Sequence, residues 1–333
     1  MQNNNYNIIL KNHNILVTGG AGFIGSNIIE KLLKQSNKIK CLDNFSTGKQ
    51  DNIKEFLNNK DFTLIEGDIR DFSTCMQACK DIDIVFHHAA LGSVPRSINN
   101  PIATNQNNIN GFLNMLIAAR DNNIKRFVYA ASSSTYGDSI QLPKIEENIG
   151  NPLSPYAITK YVNELYAKVC GNLYGIETIG LRYFNVFGKN QDPDGDYAAV
   201  FPKFIKLLIN HEAPVINGDG NQSRDFTYID NVIQANELAA ITTNPQAINQ
   251  VFNIAYGESN SLNYLTNKII SLLSEYDKEI AQIKPKYGPE RIGDIKNSLA
   301  SIEKAKTILG YNPQYDVSRG LELAIKWYYE NLR

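Results

Sequence analysis

The stretch Asn14–Gly25, NILVTGGAGFIG, limits what this chain can fold into more than any other segment. A short apolar run reads as a buried strand and enters Gly19, Gly22 and Gly25. A helical pattern, FIGSNIIEKLLK, follows without a break. Glycine is needed where a chain turns tightly, where backbone approaches a pyrophosphate, and where helix packs closely on strand. The helix start then offers unpaired N–H groups and a positive dipole end to phosphate. Glycines alone say little, but the strand before and helix after make this a dinucleotide-binding turn. Gly19, Gly22, Phe23, Ile24 and Gly25 are its candidate contacts.

An acidic residue stands at the matching distance. Asp43 lies 18 residues past Gly25 and closes the strand-like KIKCLD. A carboxylate there accepts hydrogen bonds from ribose hydroxyls and repels a 2′-phosphate. Asn44 follows with no arginine beside it, so NAD is expected rather than NADP. Ser46, Thr47 and Gly48 continue the same loop. Asp68 and Ile69, in EGDIRD, fall where an adenine amino group would lie, although Asp68 alone also reads as a strand-end turn residue.

Apolar runs at Ile15–Thr18, Ile39–Leu42, Thr63–Ile65, Ile84–His87 and Phe127–Ala130 alternate with helical patterns near 23–36, 72–80 and 107–121. That alternation predicts an α/β Rossmann fold, a doubly wound parallel sheet. Past about residue 180 the pattern loosens. Residues 188–202 and 283–295 read as loops, 215–231 as a Gly-Asp-Gly turn followed by alternation, and 316–332 as an amphipathic capping helix. The expected organisation is a Rossmann domain over 1–182. Residues 183–333 would form mainly a smaller C-terminal substrate-binding lobe, with some segments interleaved back.

Composition narrows the function classes. With 33 Lys+Arg against 34 Asp+Glu, the chain has no electrostatic footprint for nucleic acid or an anionic membrane. No apolar run approaches the length of a membrane span, and the start lacks signal-peptide character. Four scattered cysteines do not make a disulfide framework. Cys75 and Cys79 suit one helix face, and reduced thiols in a cytoplasmic protein without a metal site are expected.

Tyr156 and Lys160 form Y-x-x-x-K in SPYAITKY, a spacing that stacks both side chains on one helix face. A neighbouring ammonium lowers a phenol toward a usable general base. Tyr264 and Lys268 share the spacing but follow no strand and no hydroxyl cluster. Tyr156 lies 24 residues after Ser132, at the end of the strand-like RFVYAASSSTYGD. A serine there faces the crevice where such sheets bind ligands. Ser132, Tyr156 and Lys160 are therefore the catalytic candidates.

Together TGGAGFIG, HHAALGSVPRS, AASSSTYGD, YAITK, LRYFNVFG and SRDFTYIDN resemble the extended short-chain dehydrogenase/reductase family over nearly the whole chain. The resemblance is closest to UDP-N-acetylglucosamine 4-epimerases of surface-polysaccharide pathways. It implies a tightly held NAD, a UDP-sugar substrate, a homodimer, and reversible C4 epimerisation through a 4-keto sugar. Tyr156 would be the base, Lys160 its modulator and ribose anchor, and Ser132 the hydrogen-bonding partner. Asn108 would hold the nicotinamide end, lined by Ala89, Ala90 and Phe184. Ser133 would face the sugar, Asn185 the diphosphate-sugar, and Arg224 and Arg291 would clamp the diphosphate; without the family these arginines read as surface residues. Ser93, Val200, Asn217 and Asp294 complete the implied substrate site. Gly92, Ser133, Ser134, Gln191, Ala199 and Ser298 resemble the subgroup preferring acetylated hexosamines, with Ser298 where galactose-only epimerases carry tyrosine.

Rival readings stay open in part. SSSTYGD lacks the acid pair a 4,6-dehydratase needs, and no charged decarboxylase pocket shows at Ser132–Ser134. UDP-N-acetylglucosaminuronate and UDP-glucose remain alternative epimerase substrates. A non-catalytic NAD-sensing regulator would commonly have lost the tyrosine or lysine.

Overall fold

The computed structural model describes residues 10–193, 200–290 and 297–332. Five strands stand where alternation predicts them: β1 (Asn14–Thr18), β2 (Lys38–Asp43), β3 (Phe62–Glu66), β4 (Ile84–His87) and β5 (Arg126–Ser132). A sixth, β6 (Glu177–Tyr183), extends the sheet. β7 (Val186–Phe187), β8 (Val215–Asn217), β9 (Ser223–Arg224) and β10 (Thr227–Tyr228) are short. β11 (Gln250–Ile254) returns to the main sheet, and β12 (Asn260–Ser261) and β13 (Lys286–Gly288) pair outside it. The seven-stranded sheet runs β11-β6-β5-β4-β1-β2-β3, with every pairing parallel.

Period-two burial explains the two layers. Ile15 and Val17 on β1 join one apolar cluster, while Leu16 joins the other. Side chains of a strand point alternately to its two faces, so a strand buried on both sides is apolar throughout. The first face packs α1 (Phe23–Leu33) and, further along the chain, α8 (Ile229–Ile241). The second packs α2 (Phe72–Ala78), α5 (Gly111–Asp121) and α6 (Pro155–Tyr174). The short α3 (Val94–Asn99) and α4 (Pro101–Asn105) lie against α6. α7 (Val200–Ile209), α9 (Leu262–Leu273) and α10 (Val317–Asn331) pack on one another. All four cysteines are buried and free, and burial pushes Cys41, Cys75 and Cys79 up to about 12.

Two expectations need correction. The segment 188–202 is not all loop, because α7 begins at Val200; its run VFPKFIKLLI buries Phe201, Phe204, Ile205 and Leu208 at helical spacing. Within 283–295, β13 pairs in parallel with β8.

One buried ion pair ties α6 to the sheet. Arg182 Nε and Nη2 donate to the two carboxylate oxygens of Glu164 at 2.9 and 2.7 Å, with side-chain exposures of 4 and 6 %. Arg182 Nη1 donates to the Glu146 carbonyl, and the guanidinium lies over the Tyr136 ring. Stranding one partner of such a pair costs about 3–5 kcal/mol. Glu164→Ala is therefore expected to lower Tm by several degrees. Lys306→Ala, which removes an exposed pair with Glu303, should leave Tm within about two degrees. Thermal unfolding followed by circular dichroism compares them.

Candidate active site

A cleft of about 730 Å³ opens along the C-terminal ends of β1, β2, β4 and β5. That edge, where strand order reverses between β1 and β4, is where open α/β sheets bind ligands. The glycine turn forms its floor. Gly19 has φ +68°, and a Cβ there would stand 2.7 Å from the Ala89 amide nitrogen. At Gly25 a Cβ would stand 2.3 Å from the Gly19 carbonyl oxygen. Both positions need glycine for room, and Gly19 also for its backbone conformation. Gly22 caps α1 without a side-chain hydrogen bond, so the first amides of the helix stay open to an anion.

Asp43 is buried at the cleft wall. Its Oδ2 accepts from Ala21 N at 2.9 Å and its Oδ1 from Phe45 N at 2.8 Å. Burial raises the carboxyl, and these amides oppose the rise. A carboxylate has about four acceptor sites, so capacity remains for ribose hydroxyls. Asn44, Ser46, Thr47, Gly48 and Ile69 line the same end. Asp68 does not; it accepts from Arg70 Nη2 at 2.6 Å and from Asn44 Nδ2 at 2.9 Å, and the Arg70 guanidinium holds its carboxyl down at about 2. The nearby arginine is thus committed to an acid. This cradle fits a dinucleotide carrying free ribose hydroxyls.

At the other end Ser132, Tyr156 and Lys160 all line the cleft. Ser132 closes β5 and accepts from Ser134 Oγ at 2.9 Å. Ser154 caps α6 by accepting from Ala157 N, and Pro155 takes the first helical position, which places Tyr156 at the helix start. Lys160 Nζ donates to the Ala130 carbonyl at 2.8 Å and sits 5.9 Å from the Tyr156 ring centroid. Burial raises the Tyr156 phenol, and the Ser132 hydroxyl tempers it. Burial lowers Lys160 to about 8, opposed by the Glu164 charge. His87 and His88 are pushed down by burial and by Lys160, His88 to about 3, so both stay neutral. Such a group can pass a proton between a phenol and a bound hydroxyl. Tyr264 is exposed, Lys268 pairs with Glu322, and neither lines the cleft.

The remaining predicted residues separate. Ala89, Ala90, Gly92, Asn185 and Gln191 line the cleft. Asn108 stands one layer behind it, 1 % exposed. It accepts from Leu91 N at 2.8 Å and donates to the Leu91 carbonyl and Thr159 Oγ1, which moors the 89–92 wall to α6. Phe184 is fully buried beside Tyr136. Ser133 and Ser134 form the turn after Ser132, and Ser93 caps α3. Val200, Asn217, Arg224 and Ser298 fall outside the cleft lining. Ser298 N donates to the Ser223 carbonyl at 3.0 Å, next to Arg224. Ala199, Arg291 and Asp294 lie outside the described residues. The sequence reading missed Leu91, Asn107, Tyr183 and the Lys49–Asp192 pair, which joins the two rims of the cleft at 2.8 Å; Leu91 and Tyr183 carried a signal, their places in HHAALGSVPRS and LRYFNVFG.

A family profile described as the NAD dependent epimerase/dehydratase family matches residues 15–255. Among solved structures, a UDP-N-acetylglucosamine 4-epimerase of Methanobrevibacter ruminantium M1, in complex with UDP-N-acetylmuramic acid, is 41 % identical. The match covers 96 % of this chain and 99 % of that one, with a TM-score of 0.87. The UDP-glucose 4-epimerase of Thermotoga maritima, with UDP-glucose, is 34 % identical over 96 % and 100 % of the two chains, TM-score 0.87. The UDP-glucuronic acid 4-epimerase of Bacillus cereus, with UDP-glucuronic acid and NAD, is 33 % identical over 95 % and 99 %, TM-score 0.83. With its glycine cradle, its Asp43 wall and a match across most of its length, the chain belongs to the NAD-dependent epimerase/dehydratase family.

Proposed function

We propose that this NAD-dependent nucleotide-sugar 4-epimerase interconverts UDP-N-acetylglucosamine and UDP-N-acetylgalactosamine. The observation that carries the reading is Ser298, a small side chain on a loop hydrogen-bonded to Ser223 beside Arg224. By the family resemblance this position lies beside sugar C2, where a small residue would leave volume for an N-acetyl group. The 41 % identity to an enzyme described as a UDP-N-acetylglucosamine 4-epimerase supports the same reading.

NAD, when bound along the cleft, supplies a reversible two-electron acceptor for C4. Tyr156 takes the proton of the C4 hydroxyl, and Ser132 shares a hydrogen bond with that oxygen. Lys160 holds a positive charge beside the phenol and anchors the ribose. With the C4 hydrogen and its electron pair passed to that acceptor, the sugar would become a 4-ketone, turn about its phosphate linkage, regain that hydrogen on the opposite face, and receive its proton back from Tyr156 on inversion. Ala89, Ala90 and Gly92 give that turning sugar a wall of small residues; a Cβ on Gly92 would meet nothing within 4 Å. Arg224 and Asn185 hold the diphosphate, since a guanidinium fork matches its charge geometry. Net redox change is zero.

The working assembly is a homodimer. Ile158, Leu165, Val169 and Leu173 are exposed on α6 at helical spacing, Leu173 at 70 %, with Ile98 and Ile102 exposed on the adjoining α3 and α4. An exposed apolar patch of this kind suits a two-fold interface.

Three outcomes are expected. Tyr156→Phe should cut turnover by about 100-fold or more while keeping the fold and bound cofactor; near-normal turnover in Tyr156→Phe with loss in Tyr264→Phe would mean the other Y-x-x-x-K is the base. Ser298→Tyr should cut turnover of UDP-N-acetylglucosamine by about tenfold to a hundredfold and spare UDP-glucose, since overpacking costs about 1–3 kcal/mol. Equal losses on both sugars, in parallel kinetics, would sink the acetyl preference. The pair Leu165→Glu and Val169→Glu should convert a dimer to a monomer by light scattering, whereas an unchanged mass would place the interface elsewhere.

A further inference from the structure

We propose that Asp225 is the positioning residue of the sugar-nucleotide side of the site, locking Asn185, Arg224 and the Ser298 loop into one wall. The inference rests on the roles proposed above for those three residues. Asp225 is fully enclosed at 0 % exposure. Its Oδ1 accepts from Tyr256 N at 3.2 Å and Gly257 N at 3.3 Å, and its Oδ2 accepts from Ala300 N at 3.2 Å. Its own carbonyl oxygen accepts from Asn185 Nδ2 at 2.8 Å. One residue therefore joins the end of β6, the β9–β10 turn, the loop after β11 and the loop carrying Ser298.

The chemistry explains why an acid stands there. Tyr256, Gly257 and Ala300 lie outside the sheet ladders, and a buried amide left without a partner costs free energy. A carboxylate accepts several such amides at once without needing a donor in return. Burial lifts its carboxyl to about 7, and the amides restrain that rise. Asparagine has the same shape but would turn N–H groups toward N–H groups. Position carries the effect to the site: Arg224 is the adjacent residue, and Ala300 is two residues from Ser298. The far side of the same loop is held by Lys144, whose N donates to the Leu299 carbonyl at 2.8 Å and whose carbonyl accepts from Ser301 N at 2.9 Å. Ser132, Tyr156 and Lys160 make no hydrogen bond to Asp225. Losing the tie should loosen binding while leaving the chemical step in place.

The test is steady-state kinetics on Asp225→Asn holoenzyme. KM for whichever UDP-sugar is turned over, and the inhibition constant of UDP, should rise about tenfold or more, with kcat within about threefold. NAD content per chain should not change. Unaltered KM and UDP inhibition overturn the proposal, as does a parallel collapse of kcat and NAD content, which marks a merely structural role. The sugar preference fails separately: Ser298→Tyr would then hurt both sugars alike while UDP still binds weakly to Asp225→Asn. Should that variant not fold, amide exchange on the wild-type enzyme decides. Gly257 and Ala300 must exchange as slowly as amides of β5, and rapid exchange at Ala300 overturns the proposal.

Discussion

Arg182 on β6 and Glu164 on α6 meet in the interior through two hydrogen bonds, and the geometry of the candidate site hangs on that contact. Arg182 is registered against Ala131 of β5, one residue before Ser132. Glu164 lies one helical turn beyond Lys160, which in turn lies one turn beyond Tyr156. The ion pair thus fixes the helix carrying Tyr156 and Lys160 against the strand carrying Ser132. A pair this deep gains little over apolar packing, but it sets one register of helix on sheet. The extra bond from Arg182 to the Glu146 carbonyl carries the same constraint into the loop before α6.

Charge in the cleft follows from burial as much as from neighbours. His87 and His88 stay neutral, so they do not compete with Lys160 as cations. Tyr156 and Lys160 are both displaced toward their neutral forms, the phenol upward and the amine down to about 8. Below about pH 8 the amine still carries its charge. Glu164 opposes the loss of the ammonium, so the ion pair that positions the helix also bears on the charge of Lys160.

The glycine turn, the first five strands and the capping helix were legible because their signals are local. β1 to β5 alternate or run apolar, and turn chemistry marks their ends. β6 hid its nature behind Gly180 and Arg182. At Gly180 an added Cβ would stand 2.5 Å from the Tyr129 hydroxyl, and Arg182 sits in a strand only because Glu164 waits for it. Neither cause is visible in a window of neighbouring residues. Asn108 shows the same limit at the site. Its placement at the nicotinamide end came from resemblance, but its partners Leu91 and Thr159 are distant in sequence, and they draw it behind the wall.

The two halves of the site are built differently, and this bears on which half can vary. The cofactor cradle rests on long parallel strands and on close backbone approaches that only glycine permits, so little there can change without losing the sheet edge itself. The other half, the sugar side on the reading proposed above, is assembled from two-residue strands, β9 with β12 and β10 with β7, and from single bridges such as Ser223 to Asn297. Pieces that short have negligible stability alone. Their geometry is set by a few side chains, Asp225 among them, that satisfy amides the sheet leaves over. Substitutions in that half therefore reshape the pocket without disturbing the parallel sheet. One cofactor cradle can then serve a family whose members bind sugars differing at C2 and C6.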